Sequence, residues 1–78
     1  MKITYTRHAQ FRMETRKISK DMVREALTAP DETDTGYKNR KIVYKNFTQG
    51  TIKVVYNMEK DNLVIISVMW QEQEGICS

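Results

Sequence analysis

The apolar residues of this chain change period once, at Pro30, and that change sets the fold class. Before it they recur at helical spacing: Ala9 and Met13, then Met22, Val23, Ala26 and Leu27. After it they alternate. Ile52, Val54, Tyr56 and Met58 share one side of a strand, while Lys53, Val55 and Asn57 share the other. An early helical half followed by strands predicts an α+β domain.

Local signals place the elements. Residues 2–5 are a short leading strand, and Thr6 is suited to cap a helix over residues 7–16. Lys17-Ile18 turns the chain, and Ser19 caps a second helix over 20–28, with Asp21 near its positive end. That helix stops near Ala29, because Pro30 disfavours a helical residue before it. Residues 31–36 read as a polar loop and 37–46 as a strand. Thr48-Gln49-Gly50 and Glu59-Lys60-Asp61-Asn62 mark turns on either side of the strand 51–58. Residues 63–70 are apolar on both faces, the pattern of a central or doubly covered strand. The expected fold is two N-terminal helices packed on one face of a three-stranded antiparallel sheet, four-stranded if residues 2–5 join it. One domain spans 1–78, with its core at about 2–70 and an acidic tail at 71–78.

Size and composition narrow the function classes. A chain of 78 residues buries roughly 60% of its unfolded surface, so a homodimer or partner chain would add to a modest core. With 40% hydrophobic and 29% charged residues, the composition is that of an ordinary globular chain and argues against disorder. The single cysteine, Cys77, supports neither a disulfide framework nor a cysteine metal site and fits a reducing, cytoplasmic setting. No apolar run reaches the roughly 20 residues of a membrane span, and no signal-peptide core is present. The net charge of +3 is unevenly placed. Residues 1–29 carry seven Lys/Arg against three acids, and residues 30–78 six against seven. The positive field belongs to the helical half, where it would attract a polyanion or simply face water.

The two helices differ in kind. In the second, Met22, Val23, Ala26 and Leu27 fill one arc of roughly 140° at ~100° per residue, which is a core-packing face. In the first, Phe11 lies on one flank and Ala9 and Met13 on the other, with Gln10, Glu14 and Arg7 on the water side. Between the flanks His8, Arg12 and Arg16 recur at i, i+4, i+8. If both flanks touch the sheet, this basic stripe faces inward or opens into a cleft, where an unpaired charge is costly. Each residue has a structural alternative: Arg12 holding loop carbonyls, His8 satisfied at an interface, Arg16 capping its own helix.

The stripe suits metal-free RNA cleavage, which needs a base, an acid and cations around the phosphorus. Histidine titrates near ~6.5 and suits proton transfer, and the planar arginine fork suits phosphate. Arg7 would contact the same polyanion, and Tyr37, Tyr44, Tyr56 and Trp70 are candidates to stack on unpaired bases. No metal and no cofactor is expected: one histidine and one terminal cysteine do not make a zinc site, and the isolated glycines form no phosphate loop.

The segment Thr6-Arg7-His8-Ala9-Gln10-Phe11-Arg12-Met13-Glu14-Thr15-Arg16-Lys17-Ile18-Ser19 resembles the opening motif of the Domain of Unknown Function 4258 family, a His-Ala pair followed by Arg-Met, Arg and a small-residue turn. Val23 to Pro30, Gly50 to Tyr56 and Leu63 to Trp70 extend the resemblance over about 4–70. That family is similar in layout to RelE/ParE-like toxins and related metal-independent ribonucleases. The resemblance implies a RelE-like sheet, His8 and Arg12 as active-site residues, Arg16 in support and Ser67 as a polar position on the last strand. It also implies RNA as substrate and a cognate antitoxin protein as partner. The chain departs from the toxin pattern in ending on Gln71-Glu72-Gln73-Glu74 rather than a basic or aromatic tail. The rival expectation is a non-catalytic protein-interaction module that dimerises or pairs through its sheet.

Overall fold

A computed structural model of the chain describes residues 2–36 and 40–71. Its elements are β1 (Lys2–Tyr5), α1 (Arg7–Thr15), α2 (Lys20–Thr28), β2 (Glu32–Thr35), β3 (Arg40–Phe47), β4 (Gly50–Glu59) and β5 (Asn62–Gln71). The strands form one sheet in the order β1-β5-β4-β3-β2. Neighbours from β2 to β5 run antiparallel, and β1 pairs parallel to β5, Lys2 opposite Asn62 and Tyr5 opposite Ile65.

Both helices begin at the expected caps. The Thr6 hydroxyl accepts from the Ala9 N–H and the Ser19 hydroxyl from the Met22 N–H, each at 3.2 Å. α1 ends in a Schellman turn. The Ile18 N–H donates to the Met13 carbonyl at 2.8 Å and the Lys17 N–H to that of Glu14 at 3.4 Å. Ile18 and Met13 are both buried beneath it. The turn forces Lys17 to φ 58°, a left-handed conformation that favours glycine. Lys17→Gly should therefore raise stability by about 1 kcal/mol, seen as a Tm increase of roughly 4–8 °C in thermal unfolding.

The core lies between the helices and one sheet face. Ala9, Met13, Ile18, Val23 and Ala26 meet Val43, Ile52, Val54, Ile65 and Val68. The pairings Val43–Val54 and Val54–Val68 put these side chains on the same side. No helix or strand of the described residues covers the other face. Ile42, Tyr44, Lys53, Val55, Val64, Ser67 and Met69 are half-buried there by their neighbours in the sheet. β5 reads as apolar on both faces for a specific reason. A bulge between Val55 and Tyr56 sets Ser67 opposite Val55 but Ile65 opposite Tyr56, leaving Ile66 unpaired. The phase slips by one, so Leu63 and Ile65 face the core before the bulge and Val68 after it. β5 is an interior strand with a single buried face.

The architecture corrects two expectations. The sheet is not a three- or four-stranded antiparallel, RelE-like sheet behind two leading helices; it has five strands, is mixed, and begins with β1. The segment read as a polar loop at 31–36 contains β2. Its sequence Glu-Thr-Asp-Thr has no apolar alternation because it is an edge strand exposed on both faces. It is held by its backbone pairing to β3, helped by Asp31, whose N–H donates to the Tyr44 carbonyl and whose carboxylate accepts from the Asn46 N–H, both at 2.8 Å. The parallel register of β1 is a long-range choice, made across both helices, and leaves no local mark.

Candidate nucleic-acid interface

α1 is fixed to β5 at both ends. At its start the Thr6 N–H and hydroxyl both donate to the Ile65 carbonyl, at 3.2 and 2.8 Å. At its end the Trp70 indole N–H donates to the Arg16 carbonyl at 2.9 Å. Five strand steps span ~17 Å and ten helical steps ~15 Å, so α1 runs alongside β5 in the same direction. Ala9 and Met13 point into the core, and His8, Arg12 and Arg16 follow the rim of that buried face.

The stripe is a graded surface rather than an enclosed cleft. His8 and Arg16 are exposed and Arg12 is half-buried. Arg16 is also the C-cap of α1, its N–H donating to the Arg12 carbonyl at 2.9 Å. Phe11, expected on an apolar flank against the sheet, is 61% exposed instead. Arg12 is the unusual member. Its Nε is withdrawn from solvent and has no hydrogen-bond partner among the described residues, although a buried donor left unpaired costs about 1–3 kcal/mol.

The other candidates do not converge on the stripe. Ser67, opposite Val55, and Tyr44, opposite Lys53, lie on the uncovered sheet face. Tyr56 lies on the helix side and packs against the core. Tyr44 and Tyr56 therefore cannot form one stacking platform. Arg7 lies around α1 from Arg12, beside a groove shared with Phe11, Glu14, Ile18 and Lys20. Tyr37 and Cys77 fall outside the described residues. The sequence offers Trp70 only as a stacking ring and gives no reason to single out Lys53. Trp70 anchors the end of α1, and Lys53 stands on the open face between Tyr44 and Met69. The alternation in 51–58 already put Lys53 on that face, whereas nothing local signals the reach of Trp70 to Arg16.

Elsewhere, Tyr5 sits under Lys20, whose ammonium is 5.3 Å from the ring centroid. Burial raises the Tyr5 phenol above its ordinary pKa, with Arg24 opposing and Asp21 reinforcing the shift. Among the described residues no group of three or more His, Cys, Asp and Glu is gathered to hold a metal ion. No helix there is long and apolar enough to cross a membrane.

A family model described as Domain of unknown function (DUF4258) matches residues 5–70. The chain belongs to this family. The match takes in β1 from Tyr5, both helices and the sheet as far as Trp70, so the α1 stripe and its Trp70 anchor lie within the DUF4258 unit. It carries no statement about a RelE/ParE-like layout. No curated protein and no solved structure matches this DUF4258 chain.

Proposed function

We propose that the protein binds RNA through the His8–Arg12–Arg16 stripe and cleaves it without a metal ion, as the toxin half of a toxin–antitoxin pair would. The observation that carries this reading is the Arg12 Nε, which has no partner among the described residues and stands between His8 and Arg16, each one turn away. A guanidinium has five donors and no acceptor; the outer donors of Arg12 and Arg16 would hold the oxygens of a phosphate, and a shift of the Arg12 side chain toward it would give the inner donor a partner. His8 would take the proton of a 2′-hydroxyl as its oxygen forms a bond to phosphorus. The resulting imidazolium would return a proton to the departing 5′-oxygen as the P–O5′ bond breaks, leaving a cyclic phosphate and a 5′-hydroxyl. The arginines stabilise the charge that grows on the phosphoryl oxygens.

The test is cleavage of a mixed RNA pool in EDTA, with and without ribosomes, by wild type and His8→Ala. The expected result is cleavage that survives EDTA and falls by a factor of about 10²–10⁴ in the variant. Equal activity of the two proteins removes His8 from the mechanism.

A second reading is favoured by the sheet face that no helix or strand of the described residues covers, where Ile42 pairs with Val55, and Val64 and Met69 flank Ser67 on the next strand. There the protein would act as a non-catalytic module that dimerises through its sheet. Sedimentation of a strictly monomeric species at high protein concentration would count against it.

A further inference from the structure

The exposed Phe11 stands one turn from His8, and on its other side it walls an open groove of about 520 Å³. Met13 and Ile18 supply apolar surface, Gln10 and Glu14 polar surface, and Arg7 and Lys20 the cations. Phe11 thus offers an exposed aromatic face along the groove. The polar groups show what would fit. The Gln10 amide nitrogen donates to the Tyr5 carbonyl at 2.9 Å, leaving its carbonyl oxygen as an acceptor. The carboxylate of a glutamate such as Glu14 accepts hydrogen bonds and donates none. The slot thus pairs an aromatic wall with two acceptors and has cations beside it.

We infer that this groove takes an unpaired guanine of the RNA, a conclusion that rests on the RNA reading above. Guanine alone among the four bases presents two adjacent donors, N1–H and the N2 amino group, on its pairing edge, and a carboxylate accepts from both at once. Uracil, adenine and cytosine each offer a single donor position there and an acceptor that the Glu14 carboxylate repels. Phe11 stacks on the base face, a contact of about 1–3 kcal/mol that does not depend on base identity. Arg7 meets the adjoining phosphate, while the Lys20 ammonium is shared with the Tyr5 ring. The slot adjoins His8 across one helical turn, so cleavage would fall beside an unpaired guanine. Duplex RNA, whose guanine edges are already paired, would be excluded.

The experiment is a titration of isotope-labelled protein with 5′-GMP, and with single-stranded RNA oligomers that either contain or lack guanine. The expected result is that GMP moves the amides of Gln10, Phe11, Glu14 and Ile18, and that guanine oligomers bind about tenfold more tightly or better. Glu14→Gln should erase the preference among bases, and Phe11→Ala should weaken all oligomers by about tenfold. Both residues are exposed, and unchanged thermal unfolding will verify that the variants are folded. Oligomers that bind without base preference, with the groove amides silent, overturn the guanine slot and leave the RNA reading standing. GMP that moves the groove amides while no oligomer binds overturns the RNA reading and keeps the slot as a nucleotide site. No response to either ligand overturns both.

Discussion

Replacing Ile65 with alanine should destabilise the protein by about 2–5 kcal/mol, the range for truncating a fully buried aliphatic side chain. Ile65 has no exposed surface and lies on β5 between Tyr5 on β1 and Tyr56 on β4, under the helices. Its carbonyl also receives both Thr6 donors, so a cavity here loosens the start of α1 as well as the core. A chain of this length has a total stability of order 4–12 kcal/mol, and the loss takes a large share of it. Urea denaturation should show a strongly lowered midpoint with an unchanged slope. The informative control is Ile42→Ala. Ile42 is half-buried on the face that no helix or strand of the described residues covers, and the same truncation there should cost less than about 1 kcal/mol. Equal losses at the two positions would mean that the second face is covered in solution, which is the signature of a sheet-to-sheet dimer.

The contrast between these isoleucines shows what the sequence conveys and what it withholds. Caps and apolar spacing are local, so α1 and α2 can be placed from Thr6, Ser19 and the Met22–Leu27 arc, and β4 from its alternation. Which face a residue of another strand shows depends on register. The two-residue turn Thr48-Gln49 pairs Phe47 with Gly50, so even-numbered residues of β3 share a face with odd-numbered residues of β4. Tyr44 and Tyr56 end up on opposite sides for that reason alone, and fixing the loop at two residues would have separated them in advance. β5 hides its face behind the bulge at Ile66, because one extra residue turns a clean alternation into a run that looks apolar throughout. β2 carries no apolar signal, since an edge strand exposed on both sides has nothing to bury. Its acids protect that edge from pairing with other chains.

The candidate site was legible as a pattern but not as a shape. The i, i+4, i+8 spacing of His8, Arg12 and Arg16 follows from the sequence. Whether the stripe is enclosed depends on where Phe11 goes. Apolar character alone makes Phe11 a flank that could touch the sheet, but two buried positions, Ala9 and Met13, suffice to seat a nine-residue helix on β5. Phe11 was left to the surface. A buried atom without a partner, such as the Arg12 Nε, is invisible in any sequence pattern.

That atom supports the prediction with the sharpest opposition between stability and function, Arg12→Met. Methionine keeps the unbranched length and apolar stem of the arginine and removes the guanidinium. Relieving an unpaired buried donor returns about 1–3 kcal/mol. Against this, Arg12 lies in the last turn of α1, where a cation gains about 0.3–1 kcal/mol from the helix dipole. The first effect is larger, so the variant should be more stable than wild type by roughly 1 kcal/mol, measured as a higher urea midpoint. RNA binding should move the other way. Losing a charge-assisted contact of about 1.5–3 kcal/mol weakens affinity tenfold or more. The slope of log affinity against log salt should fall by roughly one phosphate contact. Arg12→Lys separates charge from geometry: it keeps the salt slope, and it recovers only part of the affinity, because an ammonium cannot reproduce the bidentate fork. A structural role for Arg12 predicts the reverse on both counts. Stability would drop in Arg12→Met, because a held partner would be released, and affinity for RNA would not change. The two readouts of this one substitution decide between a structural arginine and one held for RNA.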